Sequence, residues 1–270
     1  MSARPTIGFL SDFGLADEWV AVCKGVILSI APEANIIDIS HDIPAFDITK
    51  GAIVLADAVP YLPRGVHLAV VDPGVGARRR AVAIGCRDGS ALVGPDNGLL
   101  AYAARLLGGV AASHEITNTR YMRPSRHPTF HGRDVFAPAA AHLASGVPLD
   151  ALGPPIQPET LAPLPWPEPA AEDHVIACRV IDVDRFGTVR LNVREEQLGS
   201  LGVDTSRDVD LAFGHIELKL PLAKTFADVA KGRPLLLFDS SNLLSLALNQ
   251  ESAAERYGLT VGDRVTLRRG

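Results

Sequence analysis

Thr6-Ile7-Gly8-Phe9-Leu10-Ser11-Asp12-Phe13-Gly14 (TIGFLSDFG) sets the pattern of the first half of the chain. A short apolar run, Thr6 to Leu10, breaks off in a polar turn, as a buried strand does on leaving a sheet. Apolar residues at helical spacing follow from Asp17 to Ile30. The same alternation returns downstream. Asn35 to Ile39 (NIIDI) reads as a strand and Ile48 to Ala58 as a helix. Val66 to Val71 (VHLAVV) reads as a strand that stops at Asp72-Pro73-Gly74. Ala81 to Gly85 and Ala91 to Gly94 are shorter strands. Leu99 to Leu107 reads as a helix closed by Gly108-Gly109, and Asp134 to Ser145 as one ended by Gly146. Strands alternating with helices predict an α/β layer with a largely parallel sheet.

After Gly153 the character changes. Pro154, Pro155, Pro158, Pro163, Pro165, Pro167 and Pro169 crowd a stretch without periodicity. Proline removes backbone donors and stiffens the chain, so this reads as a linker. Val175 to Val183, Thr188 to Val193, Ile216 to Leu220, Pro234 to Phe238 and Arg264 to Leu267 then read as strands. One short helix, Ser252 to Tyr257, interrupts them. The fold class expected is α/β: an N-terminal α/β domain (1–153), a Pro-rich linker (154–173) and a smaller C-terminal antiparallel barrel or sandwich (174–270). No internal repeat is visible.

The 270 residues suffice for two ordinary domains. A net charge of -5 argues against a general nucleic-acid binder, which needs basic surface to neutralise phosphate. No apolar run is long enough to span a membrane. Met1-Ser2-Ala3-Arg4-Pro5 shows no signal-peptide core. Cys23, Cys86 and Cys178 are widely spaced and form no CxxC pair, which argues against a cysteine zinc site; three cysteines cannot all pair within one chain, which fits a reducing compartment. A cytoplasmic protein is expected.

Chemistry is expected beyond the strand ends, where α/β sheets bind ligands. Asp12, Asp72 and Pro95-Asp96-Asn97-Gly98 each follow a strand, and Thr129-Phe130-His131-Gly132-Arg133-Asp134 precedes a helix. Each has a local reading too. The two proline-containing segments are ordinary turn chemistry, and Asp134 suits an N-cap. No phosphate loop, HExxH motif or GxSxG elbow is present.

At these clusters the chain resembles the S-adenosyl-L-methionine (SAM) hydroxide adenosyltransferases, or SAM hydrolases, relatives of the fluorinases and chlorinases. The matching segments are SDFGLADEWVAVCKGVI (11–27), ISHDIPAFDITKGA (39–52), VVDPGVGARRRAVA (70–83), GPDNGLL (94–100) and TFHGRDVFAPAAAHLASG (129–146). In the second half they are IDVDRFGTVRLN (181–192) and DSSNLLSLALNQESAAERYGLTVGDRV (239–265). The resemblance implies an N-terminal α/β domain with a smaller C-terminal antiparallel β-barrel domain, and a homotrimer whose SAM site lies between subunits, with no cofactor and no metal. It also implies an Asp-Arg-His set around an attacking water. By motif position these are Asp72, Arg79 and His131, although Arg78, Arg79 and Arg80 run together and alternate faces in an extended segment. His131 has a bland reading as a helix-capping residue.

The substrate contacts implied are Asp12 for the ribose hydroxyls and Phe46 against the nucleoside. Asp17 and Trp19 fall near the methionine end, though Asp17 also suits a helix cap. Phe186 is placed at the adenine. Asp184 is placed at the methionine ammonium, with Asp182 as substitute, and Ser240 and Ser241 at its carboxylate. Phe186-Gly187-Thr188 departs from the usual FGN, which puts the Thr188 contact to adenine in question. Ser241-Asn242 and Ser245 are further departures. An acidic Asp72 repels halide and favours water as nucleophile.

Three other functions are compatible with parts of the sequence. One is halide-dependent nucleoside formation. Another is a metal-dependent phosphohydrolase using Asp12, Asp72, Asp96 and His131. The third is a nucleoside-binding module without chemistry.

Overall fold

The computed structural model describes residues 4–172, 175–200 and 208–269. The expected start of the second domain, His174, lies outside the described residues, as do Met1 to Ala3. Chain contacts divide the molecule into a unit spanning Met1–Pro165 and a unit spanning Trp166–Gly270.

The first unit is built on six strands: β1 (Thr6–Ser11), β2 (Asn35–Ser40), β3 (Val66–Val70), β4 (Ala81–Cys86), β5 (Ala91–Pro95) and β6 (Val110–Glu115). Their order is β2-β1-β3-β5-β4-β6. β1 pairs in parallel with β2 and β3, and β3 with β5, while β4 is antiparallel to both β5 and β6. The sheet is therefore largely parallel, with β4 reversed. Every residue of β1 and β3 is buried, as expected of central strands covered on both faces.

Helices α1 (Trp19–Ile30) and α4 (Ala137–Ala144) pack together, and α2 (Ile48–Ala58) packs on α3 (Ala101–Leu106). Ile7, Phe9, Leu68, Val70, Cys23, Ile27 and the run Phe136, Ala137, Ala139 to Ala141 share one core. The alanines of α4 lack bulk, so the helix comes close to β3. Asp47 caps α2 by accepting from Lys50 N at 2.8 Å.

The chain leaves β1 toward β2 on one side and returns through α2 to β3 on the other. The sheet's switch point thus lies between β1 and β3. Their carboxyl ends carry Asp12 and Asp72 into one crevice, the place where open α/β sheets bind ligands.

The helix expected from Asp134 begins differently. Gly132–Phe136 forms a single π-turn, and α4 follows from Ala137. A Cβ on Gly132 would stand 2.9 Å from the Phe13 ring, so only glycine allows this approach. Such wide turns often occur at functional sites.

The proline-rich stretch is bonded along the first unit over part of its length. Ile156 N donates to Ser113 O at 2.7 Å, and Ser113 Oγ donates back to Ile156 O at 2.8 Å. Ala162 N donates to Asp96 Oδ1 at 2.8 Å, and Arg80 reaches Thr160. Proline's missing donors are no obstacle here, because the intervening residues make the bonds.

The second unit contains β7 (Ala170–Glu172), β8 (Val175–Val183), β9 (Val189–Arg194), α5 (Glu195–Ser200), β10 (Asp208–Phe213), β11 (Ile216–Pro221), β12 (Pro234–Phe238), β13 (Leu243–Leu248), α6 (Ala253–Tyr257) and β14 (Arg264–Arg269). The path is β11-β10-β14-β8-β9-β13-β12, with β7 added on β8. Every ladder in it is antiparallel. A bridge from Leu222 to Leu236 brings its two ends together into a nearly closed barrel. Leu191, Leu211, Leu236, Leu246 and Leu267 fill the interior.

Candidate active site

Asp72 follows β3 in a tight turn, with Val75 N donating to Asp72 O at 3.1 Å. Asn97, in the turn after β5, donates through Nδ2 to Val71 O at 2.8 Å and braces the backbone just before Asp72. Of the three consecutive arginines, Arg79 turns inward. Its Nε donates to both carboxylate oxygens of Asp72 at 3.0 Å, and its Nη2 also reaches Oδ2. Arg80 points elsewhere and donates to Asp96 Oδ2 at 2.7 Å, while Arg78 is exposed. The turn that runs from Pro73 through Arg78 ends just before Arg79, and this separates the fates of the three.

Arg79 Nη2 also lies 2.8 Å from His131 Nδ1. A guanidinium only donates, so Nδ1 is the acceptor and the neutral ring carries its proton on Nε2. His131 occupies the N-cap position of the π-turn but makes no side-chain capping bond. Burial pushes its pKa below the ordinary imidazole value, and the Arg79 charge acts in the same direction against Asp72 and Asp134. The Arg79 guanidinium also sits 5.0 Å from the centre of the buried Phe136 ring. Asp72, Arg79 and His131 thus form one bonded set on a packed floor.

Asp72 and His131 line a cavity of about 490 Å³ with Asp12, Phe13, Trp19, Ala45, Phe46, Val70, Val75, Thr129, Phe130 and Gly132. Asp12 Oδ2 accepts from Phe46 N at 2.9 Å. Burial holds the Asp12 carboxyl above its usual range; the Phe46 bond opposes this and the Asp72 charge adds to it. Phe46 has φ +69°, a left-handed conformation costly for a bulky residue, and the residue is 70% exposed. Trp19 meets Phe13 edge-on at 6.2 Å, and Phe13 meets Phe130 at 5.9 Å.

Asp134 is a loop anchor. Its buried carboxylate accepts from Arg133 Nε at 2.7 Å and from His127 N at 2.8 Å, with Arg123 at 3.5 Å. It thereby fixes the segment leading to Phe130 and His131. Asp96 is held by Arg80 and Ala162 N and does not line the cavity. Among the described residues no group of three or more His, Cys, Asp or Glu side chains is placed to share a metal ion. Asp17 lies exposed in the bend before α1. Glu18 takes the cap position there without a side-chain bond.

The remaining candidates belong to the second unit. Asp184 Oδ1 accepts from Phe186 N at 2.8 Å and Thr188 N at 2.9 Å, which closes the β8–β9 turn. This turn displays Phe186, 74% exposed, with the Arg185 guanidinium 5.7 Å from the centre of its ring. Gly187 (φ +78°) is required there, since a Cβ would fall 2.0 Å from Ser252 Oγ. Asp182 points inward, 5% exposed, and pairs with Arg190 at 3.7 Å. Ser240 and Ser241 occupy the turn after β12. Asp239 Oδ1 organises that turn by accepting from Ser241 N at 2.9 Å and Leu243 N at 3.1 Å.

The sequence assigns no role to Phe13, Phe130, Asn97 or Phe136. All four stand inside the quoted segments, but an aromatic or amide there carries no signature apart from its contacts.

A hydrogen-bonded Asp-Arg-His set, opening on a cavity lined in part by aromatic rings at the switch point of a largely parallel sheet, defines an enzyme of small-molecule chemistry. The chain belongs to the SAM hydroxide adenosyltransferase family. The family's N-terminal domain model matches residues 7–153 and its C-terminal domain model residues 178–266. The chain is 45% identical to an (R)-S-adenosyl-L-methionine hydrolase of Salinispora tropica, covering 100% of both chains. It is 31% identical to a fluorinase of Actinoplanes sp., covering 98% of each. A crystal structure of an uncharacterized conserved protein from Thermotoga maritima superposes with TM-score 0.89 at 37% identity, covering 97% of this chain and 100% of that one.

Proposed function

We propose that this protein hydrolyses SAM to adenosine and L-methionine, acting on the (R) sulfonium form for which its relatives are named. The observation that carries the reading is the bonded Asp72–Arg79–His131 set, of which Asp72 and His131 line the Asp12–Phe46 cavity. A water oxygen attacks C5′ of the ribose in line with the sulfonium. The C5′–S bond breaks, its electron pair leaves with methionine sulfur, and one proton is released. Sulfonium needs no general acid, so positioning and water handling supply the catalysis, with positioning alone worth roughly 7–11 kcal/mol in favourable cases.

The geometry divides the roles. Arg79 occupies the Nδ1 lone pair of His131, which leaves Nε2–H as the hydrogen the ring offers to the water oxygen. Proton acceptance then falls to Asp72, whose oxygens keep lone pairs beyond those taken by Arg79. Arg79 aligns both groups and balances the charge of Asp72. The free oxygen of Asp12 takes the ribose hydroxyls, and Phe46 and Trp19 pack on the ligand. Asp17, Asp184, Phe186, Thr188, Ser240 and Ser241 complete substrate binding in a homotrimer with sites at subunit interfaces. The reaction runs in the cytoplasm without cofactor or metal.

Purified protein incubated with SAM as a mixture of sulfonium epimers, in halide-free buffer with chelator, tests the reading. Equal amounts of adenosine and methionine, with the (R) form consumed, are expected. A 5′-halo-nucleoside that rises with added chloride, or activity that vanishes with chelator, overturns it.

A further inference from the structure

Beneath the loop that carries Asp12 lies a second chain of polar side chains. Ser11 Oγ stands 2.7 Å from His41 Nδ1, and His41 Nε2 stands 3.2 Å from Asp38 Oδ1. Lys24 Nζ closes the chain at 2.6 Å from Asp38 Oδ2. Ser11 is fully buried and His41 is 4% exposed, so Ser11 is no nucleophile for any external substrate. The polarity of the chain is determined. A carboxylate only accepts, so Nε2 of His41 donates to Asp38. The neutral ring then has a bare Nδ1, which accepts from the Ser11 hydroxyl. Phe13 N in turn points at Ser11 Oγ from 3.4 Å, and Gly14 N donates to His41 O at 2.8 Å. The Phe9 ring meets the imidazole edge-on at 4.6 Å and fixes its plane.

His41 therefore grips the 11–14 loop twice, by ring and by carbonyl. It also begins the 41–46 loop that ends in Phe46. These two loops are the walls joined by the bond from Phe46 N to Asp12 Oδ2. We infer that His41, oriented by Asp38 and Lys24, is a positioning residue that clips the two walls of the nucleoside cavity together and holds Asp12 at its place. The inference rests on Asp12 binding the ribose.

The charged groups acting on His41 are Asp38 and Lys24, from β2 and α1, and Asp42 beside it. Burial lowers its pKa below the ordinary value; Lys24 acts the same way, and Asp38 and Asp42 oppose it. Protonation places a hydrogen on Nδ1, which ends its acceptance from Ser11 and forces the Ser11 hydroxyl to turn and accept instead. The polarity of the clip therefore reverses in acid, and KM changes with it.

Steady-state kinetics with SAM across pH test this in His41→Ala, Ser11→Ala and Lys24→Met. In His41→Ala the KM is expected to rise about tenfold, one buried hydrogen bond's worth, with kcat nearly unchanged. Ser11→Ala should show part of the same rise. Lys24→Met keeps every buried group and removes a remote cation. The acid limb of its KM profile should move to higher pH. If His41→Ala does not fold, the other two variants decide. Unchanged KM in His41→Ala and Ser11→Ala, or an acid limb unmoved in Lys24→Met, overturns the clip. A fall in kcat at constant KM does so too. Adenosine affinity by calorimetry reads the clip without turnover. Absence of SAM hydrolysis by the unsubstituted protein refutes the proposed reaction instead.

Discussion

Arg79 Nη2 stands 2.8 Å from His131 Nδ1, and the same guanidinium spans both oxygens of Asp72. One planar cation thus fixes the tautomer of an imidazole and the orientation of a carboxylate. Arginine suits this because its donors diverge in a rigid plane. Asp72 and His131 are separated by Arg79 and never meet directly as an acid–base pair.

Asp72→Ala and His131→Ala should each lower kcat for adenosine formation by about 100- to 10,000-fold, the usual range for a group that handles a transferred proton. Circular dichroism should be unchanged in both, since neither side chain belongs to the apolar core. Full turnover in both variants would remove them from the chemistry.

Arg79→Lys is not a conservative change. A lysine ammonium cannot bridge two carboxylate oxygens and an imidazole nitrogen in one plane. The kcat should fall on the order of tenfold or more, the value of a lost charge-assisted hydrogen bond. Arg79→Met should in addition move the acid limb of kcat/KM upward in pH. The reason is that Arg79 and burial both hold His131 below its ordinary value, so removing the cation lets the ring protonate sooner. A pH profile with an unmoved limb would argue against neutral His131 as the working form.

Asp134→Ala should destabilise the protein by about 1–3 kcal/mol, because it strands the His127 N–H and two arginines that meet at one buried carboxylate. Activity should fall with it, as the loop bearing Phe130 and His131 loses its anchor. Thermal unfolding followed beside kcat/KM checks both effects.

His67 on β3 is 1% exposed, and neither ring nitrogen has a hydrogen-bond partner. Burial pushes its pKa below the ordinary value. The unfolded chain then binds a proton that the folded one refuses. Stability should fall as pH drops from the ordinary imidazole value toward the lowered folded one. His67→Leu should flatten that slope and cost little at neutral pH, since it removes an unsatisfied polar ring. Parallel melting curves for the two proteins over acidic pH would reveal an unchanged slope if His67 did not titrate this way.

Much of this architecture is legible in the sequence, for identifiable reasons. β8, β12 and α2 lie where the apolar periodicity puts them, because each is bounded by turn or cap residues such as Asp47. β6, with its Val110-Ala111-Ala112-Ser113 start, is made of small residues without strand character, and only its pairing with β4 reveals it. β13 (Leu243–Leu248) is a buried leucine-rich run that a helix would fit equally well; β9 and β12 on either side decide it. Asp12 and Asp72 stand out as polar residues at strand ends, and His131 as one just before a helix. Arg79 could not be told from Arg78 and Arg80 until the turn after Asp72 set the facing. The Ser11–His41–Asp38 chain joins residues far apart in sequence, and no local pattern announces it.

The most direct test of water attack at C5′ is to run the reaction in oxygen-18 water and record the mass of the adenosine formed. Adenosine heavier by one oxygen-18, with methionine unlabelled, is the result expected of in-line displacement by water held between Asp72 and His131. Unlabelled adenosine, or label found only in methionine, would contradict it.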